Sequence, residues 1–219
     1  MSETGDLATL LADASAGQFP DPDGGWSRIP PWRDGVEAIV AFTGHAYFAV
    51  AEDIPAARID ELGADGLGGA HAPSVIQAIA GPQAWIDSLD VVLVVRTADA
   101  AAPSRLVERP DLADHPRARL AARIRDEVQV LGYPQPENTS LVTVSRGLGG
   151  LPELGVQTNG STDGAAMLRE AMAAIPSYQL VVAAVAPGNA RALRTFLRVG
   201  FQPVASVQLF CRRVMGVVR

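Results

Sequence analysis

The sequence contains no lysine; all 18 basic residues among its 219 are arginine. That excludes a Schiff-base lysine, a phosphate-loop lysine and a lysine general base. A single cysteine, Cys211, excludes an intramolecular disulfide framework and any multi-cysteine zinc or iron–sulfur site. Three widely spaced histidines, His45, His71 and His115, do not compose a histidine-built metal site, so no metal is expected. Long hydrophobic runs are missing too. The longest, at 91–95 and 180–186, fall well below the roughly 20 residues a membrane span needs. No basic segment followed by an apolar one opens the chain, so neither a secretory leader nor a membrane association is expected, and the expected location is cytoplasmic. Positive charge is in deficit, with a net charge of −6, which argues against a nucleic-acid partner.

What the sequence does contain is a globular composition, 48% hydrophobic and 19% charged. The length suits one large domain or two small ones. Residues 1–35 read as a partly irregular N-terminal arm. A short amphipathic helix at 6–16 precedes a segment broken by Pro20, Pro22, Gly24, Gly25, Pro30 and Pro31, which packs through Trp26 and Trp32. Residues 36–219 read as a single domain. Apolar runs at 36–42 and 46–50 around Thr43-Gly44-His45 predict a β-hairpin, with His45 in the turn. Short helices are predicted after Pro55 and over 73–80, and a buried strand over 89–95 with Asp90 at its entry. Leu120, Ile124, Val128 and Leu131 recur at helical spacing, predicting one long helix from Asp114 to Gly132 with Arg117, Arg119, Arg123 and Arg125 on its solvated face.

The last third alternates more clearly. It reads as a strand at 139–145, a glycine turn at 146–150, a strand at 153–157 and a polar loop at 158–163. A helix at 164–175, a strand at 179–186, a helix capped by Asn189 and a strand at 201–211 follow. In the capped helix Leu193, Phe196 and Leu197 are expected to face inward. Strands alternating with helices predict an α/β (α+β) fold, a mixed sheet with helices on its faces.

The segment Val185-Ala186-Pro187-Gly188-Asn189-Ala190-Arg191-Ala192-Leu193, followed by Phe196-Leu197-Arg198-Val199-Gly200-Phe201, resembles the C-terminal half of the GNAT superfamily of acyl-CoA N-acyltransferases. Asn189, Ala192 and Gly200-Phe201 fall at the family's spacing, and 138–211 is the best-matched half. Phe42-Thr43-Gly44-His45 is similar to a segment of actinobacterial members, and the lysine-free, arginine-rich composition suits a GC-rich genome of that kind.

The resemblance implies a mostly antiparallel GNAT-like sheet with helices on both faces and two splayed central strands. It implies acetyl-CoA, or another acyl-CoA, as co-substrate, a small-molecule or peptide amine as acceptor, and a homodimer as one form of assembly. The pyrophosphate would lie on a loop leading into a helix N-terminus, where unpaired amides and the dipole favour an anion. Here that loop contains Ser161, Gly164, Ala165 and Ala166, with Gly164 and Ala166 at the two small positions. Amides around Leu154, Val156 and Gln157 would stabilise the oxyanion, Asn189 would contact the cofactor, and Glu153 would be the general base. Arg146 could pair with Glu153 or meet an anionic substrate.

Two departures stand out. The loop's leading position, glutamine or arginine in the family, is Ser161 or Asp163, neither of them basic, and Asp163 also reads as a plain helix cap. Phe196 stands where many members carry a proton-donating tyrosine, leaving Tyr133, Tyr178 or water for that task. The two departures favour the alternative function, a degenerate, non-catalytic GNAT-like domain binding a metabolite or a protein partner.

Overall fold

Asp6 opens the first helix, α1 (Leu7–Ser15), by accepting the Thr9 amide at 2.8 Å, one of the donors left unpaired at a helix start. The computed structural model describes residues 6–99 and 103–212. After α1 come β1 (Trp26–Ile29), β2 (Glu37–Phe42), β3 (His45–Ala49), α2 (Ala56–Glu61), α3 (Pro73–Ala80) and β4 (Trp85–Arg96). The chain continues through β5 (Val107–Glu108), α4 (Pro116–Ile124), β6 (Asp126–Gly132), β7 (Leu141–Arg146) and β8 (Pro152–Gln157). It ends with α5 (Gly164–Met172), β9 (Leu180–Val185), α6 (Ala190–Arg198) and β10 (Gln202–Cys211). The class is mixed α/β with mostly antiparallel strands, as expected. Among the described residues no helix is long and apolar enough to cross a membrane. The chain divides into two compact units. One runs up to Val92 and resumes at Val204, and the other is Leu93–Pro203.

In the first unit the strand order is β1-β3-β2-β10. The hairpin turn is Thr43-Gly44, because Phe42 pairs directly with His45. Gly44 has φ +78°, and a Cβ there would lie 2.5 Å from Pro22, so only glycine fits. His45 therefore begins β3 instead of sitting in the turn. Its ring contacts Asp23 Oδ1 at 2.7 Å and Ser27 Oγ at 3.0 Å. Within the segment expected to be irregular, β1 pairs parallel with β3. Trp26 packs edge-on against Phe48 at 5.3 Å and donates its indole N–H to Asp60 at 2.9 Å. The core beneath is built from Ile39, Phe48, Ile59, Val75, Ile79 and Phe210. Asp90 lies inside β4, which starts four residues earlier than the apolar run suggests. The early half of β4 mixes apolar with polar residues and none of it is fully buried, so a run of apolar residues marks only the buried end.

In the second unit the order is β9-β8-β7-β6-β5. The long helix expected from 114 to 132 is two elements. Helix α4 stops at Ile124, and Arg125 is extended at φ −134°, ψ 163°. The rest is β6, which pairs antiparallel with β7 through a bulge at 126–129, where Glu127 takes φ +50°. Val128 and Val130 alternate with exposed Gln129, and this period of two competes with the helical period over the same residues. In α6, Asn189 caps Ala192 as expected, at 3.1 Å. Phe196 is 2% exposed and meets Phe201 edge-on at 5.0 Å. Leu197, expected inward, is 47% exposed. Adjacent helical residues point about 100° apart, and Phe196 takes the core side. Phe196→Ala should cost about 3–5 kcal/mol of unfolding free energy in urea titration. A cost below about 1 kcal/mol would mean the α6 face is not part of the core.

Candidate functional site

Strands β8 and β9 run parallel but share one ladder pair, Glu153 with Val182. Both continue beyond it, to Gln157 and Val185. The other edge of β8 stays fully laddered to β7, from Arg146–Pro152 to Leu141–Gln157. A strand fixed on one edge and released on the other leaves backbone hydrogen-bonding groups for something else to meet. The alternation of β8 then sorts its side chains. Glu153 and Gly155 point to one face, Leu154 and Val156 to the other.

At the far end of this fork lies a cavity of about 430 Å³. It is lined by Val156 and Gln157 from β8, by Thr158, Thr162, Asp163 and Gly164 at the start of α5, and by Asn189 and one side of α6. A Cβ at Gly164 would come within 3.3 Å of both Thr158 and Thr195, so the glycine lets the start of α5 approach α6 closely. Arg191, Arg194 and Arg198 also line the cavity. Spaced i, i+3 and i+7, they share one side of α6. Among the described residues none of the three has an ion-pair partner. Three guanidinium groups beside a helix start make an anion-binding surface.

Of the expected cofactor contacts, Val156, Gln157, Gly164 and Asn189 line this cavity. Leu154 and Ala165 are buried and do not line it. Ser161 and Ala166 are not part of its lining. Asp163 accepts the Ala165 amide at 2.9 Å, so one donor of the α5 terminus is already used. The arginines of α6 were not among the residues the sequence pattern singled out, since the family motif lies in the loop before α5. Their signal is the recurrence of arginine at 191, 194 and 198, along one side of the helix that Asn189 caps.

Glu153 lies elsewhere. It is 3% exposed, on the opposite face of β8 from Val156. Its Oε1 meets Arg125 Nη2 at 2.5 Å and its Oε2 accepts the Leu148 amide at 2.8 Å. The partner is Arg125, not Arg146. Arg146 is exposed, and it stands opposite Pro152 in the ladder, one residue out of step with Glu153. Arg125, expected on a solvated helix face, is 8% exposed, because the chain leaves the helix just before it. The turn between β7 and β8 closes tightly over this pair. A Cβ at Gly147 would lie 1.8 Å from Glu153 Oε2.

Neither tyrosine lines the arginine cavity. Tyr133 donates its hydroxyl to Glu170 at 3.0 Å, and burial first, then that bond, pushes its phenol up from the usual range. Arg105 holds Glu170 below the usual carboxylate range. Tyr178 is exposed.

No family model matches the sequence, and no curated protein matches it. Among solved structures, the chain is similar to a candidate GNAT-family acetyltransferase from Novosphingobium aromaticivorans, with TM-score 0.38, 20% identity, and coverage of 61% of this chain and 69% of that one. It is similar to a GCN5-related N-acetyltransferase from Kribbella flavida, with TM-score 0.35, 16% identity, and 62% of each chain covered. A Drosophila protein matches with TM-score 0.39 and 14% identity over 63% of this chain and 55% of that one.

The cavity's charge predicts its ligand's. Inorganic pyrophosphate, titrated by calorimetry at low salt, should bind the parent chain. Arg194→Ala should weaken it by roughly tenfold. Asp163→Asn, which keeps the cap and removes the negative charge, should tighten it by about two- to fivefold. Both differences should shrink in high salt.

Proposed function

We propose that the chain is an acyl-CoA-dependent N-acyltransferase, moving an acetyl or other short acyl group onto an amine. One observation carries this reading: two parallel strands that part after a single ladder pair, opening onto an arginine-lined cavity at a helix N-terminus. The residues present fit a diphosphate. Arg191, Arg194 and Arg198 supply the positive charge that Ser161 and Asp163 do not. Gly164 admits close backbone approach. The bound acyl-CoA supplies a thioester carbonyl, open to attack by an amine.

The chain's own part is binding and positioning. The parted edge of β8, from Leu154 to Gln157, offers amides toward which the carbonyl oxygen can turn as it gains charge. The amine nitrogen forms the new bond to the acyl carbon, the carbon–sulfur bond breaks, and the amine's proton leaves to water. With Phe196 in the tyrosine's place, the departing thiolate takes its proton from water as well. Glu153, expected as the base, serves in this reading to hold Arg125, since both its oxygens already accept from donors.

Millimolar acetyl-CoA should raise the melting temperature of the protein, and an amine panel should release free thiol. Binding without turnover on any amine would favour a non-catalytic, ligand-binding domain, and absence of both would remove the acyltransferase reading. In Glu153→Gln the acidic limb of the kcat–pH profile should persist. Its disappearance, with a fall in kcat of about 10²–10⁴-fold, would restore Glu153 as the proton acceptor.

A further inference from the structure

Beside Glu153 in β8, Arg125 has more donors than partners. Its Nη2 meets Glu153, while Nε and Nη1 are buried and have no hydrogen-bond partner. A guanidinium carries five N–H donors and seldom leaves buried ones unmet. Leaving them so is costly in a dry environment. The pair is also held with care. Glu153 is fixed by the Leu148 amide, and Gly147 leaves room for its carboxylate where any side chain would collide.

The location matters as much as the unmet donors. Glu153 is the residue of the one β8–β9 ladder pair, so the Arg125 head group sits where the fork begins. A Cβ at Gly155, the next residue on that face, would lie 3.5 Å from Arg125 Nη1, 3.5 Å from Arg117 Cδ and 2.9 Å from Thr143 Oγ1. Glycine thus leaves room for the guanidinium on this face of β8, while the Thr143 hydroxyl, on the laddered β7 side, donates to the Gly155 carbonyl. The opposite face, through Val156, leads to the cavity that would hold the acyl donor's phosphates. A second reactant would approach on the Arg125 face.

We infer that Arg125, positioned by Glu153, is the anchor for a carboxylate on the acceptor, so that the acceptor class is a free amino acid: a primary amine carrying its own carboxylate. This rests on the acyltransferase reading for the transfer itself, but the anion site can be tested apart from it. A carboxylate satisfies the free donors with charge-assisted bonds. A carboxamide brings no charge and presents its own N–H groups to a donor. A peptide N-terminus lacks the adjacent carboxylate altogether.

The test uses the full chain and paired acceptors: glycine against glycinamide, and phenylalanine against phenylalaninamide, with acetyl-CoA and thiol release as readout. The parent should favour the carboxylate member of a pair by at least about tenfold in kcat/KM. Arg125→Lys keeps a charge but not the fork of donors, and should lose most of that preference through KM, with kcat within about threefold. Because a lone change can leave Glu153 buried and unpaired, the double variant Arg125→Met with Glu153→Leu serves as a folded control. It should show no preference. A second arm is independent of turnover. N-Acetylglycine should bind the parent by NMR titration at millimolar concentration, while N-acetylglycinamide and the double variant should show no binding.

Equal rates on both members of a pair, or a preference that survives in the double variant, would overturn the inference while leaving the acyltransferase reading intact. Binding of N-acetylglycine in a chain that neither binds acetyl-CoA nor turns over would keep the anion site and discard the transfer. Absence of N-acetylglycine binding in a chain that also shows no turnover would overturn the site itself.

Discussion

The single ladder pair between Glu153 and Val182 is the constraint on which the second unit's chemistry depends. One edge of β8 is bound to β7 along its whole length, so the strand cannot move to follow β9. The opening between the two strands is thus framed by the hydrogen-bonded edge of β8. A site formed this way is pre-organised, and binding does not have to meet the cost of opening it.

The two faces of β8 divide the work. One leads through Val156 to a cavity with three guanidinium groups and a helix start. The other carries a buried ion pair that the tight turn at Gly147 encloses. Charge is thus supplied twice within a chain whose net charge is negative, and each time by arginine. The guanidinium's planar set of donors suits phosphate and carboxylate oxygens better than a point charge would.

Elements whose local signals agreed were legible in the sequence. Pro73 and Gly81 mark both ends of α3, Asn189 and Gly200 bracket α6, and the Thr43-Gly44 turn fixes the first hairpin. What sequence alone could not resolve was the stretch at 120–131. There Leu120, Ile124, Val128 and Leu131 satisfy a helical period while Val128 and Val130 satisfy a strand's alternation, and only pairing with β7 decides between them. That ambiguity concealed Arg125. A helical Arg125 would face solvent, whereas an extended one turns beneath α4 and becomes buried. Asp163 was legible as a cap, but the compensating arginines lie on another element, beyond the reach of a loop motif.

The arginine side of α6 carries a consequence for the helix itself. Arg191 and Arg194 are three residues apart, Arg194 and Arg198 four, so neighbouring like charges repel along nine residues of helix. Only the last gains from the dipole at the helix end, and Leu197 contributes little burial. In the free protein this repulsion is a local cost to α6, set against the burial of Phe196. The amides of α6 should exchange with solvent sooner than those of β7 and β8, and an oxyanion seated among the three side chains would act as the counter-charge that quiets the helix.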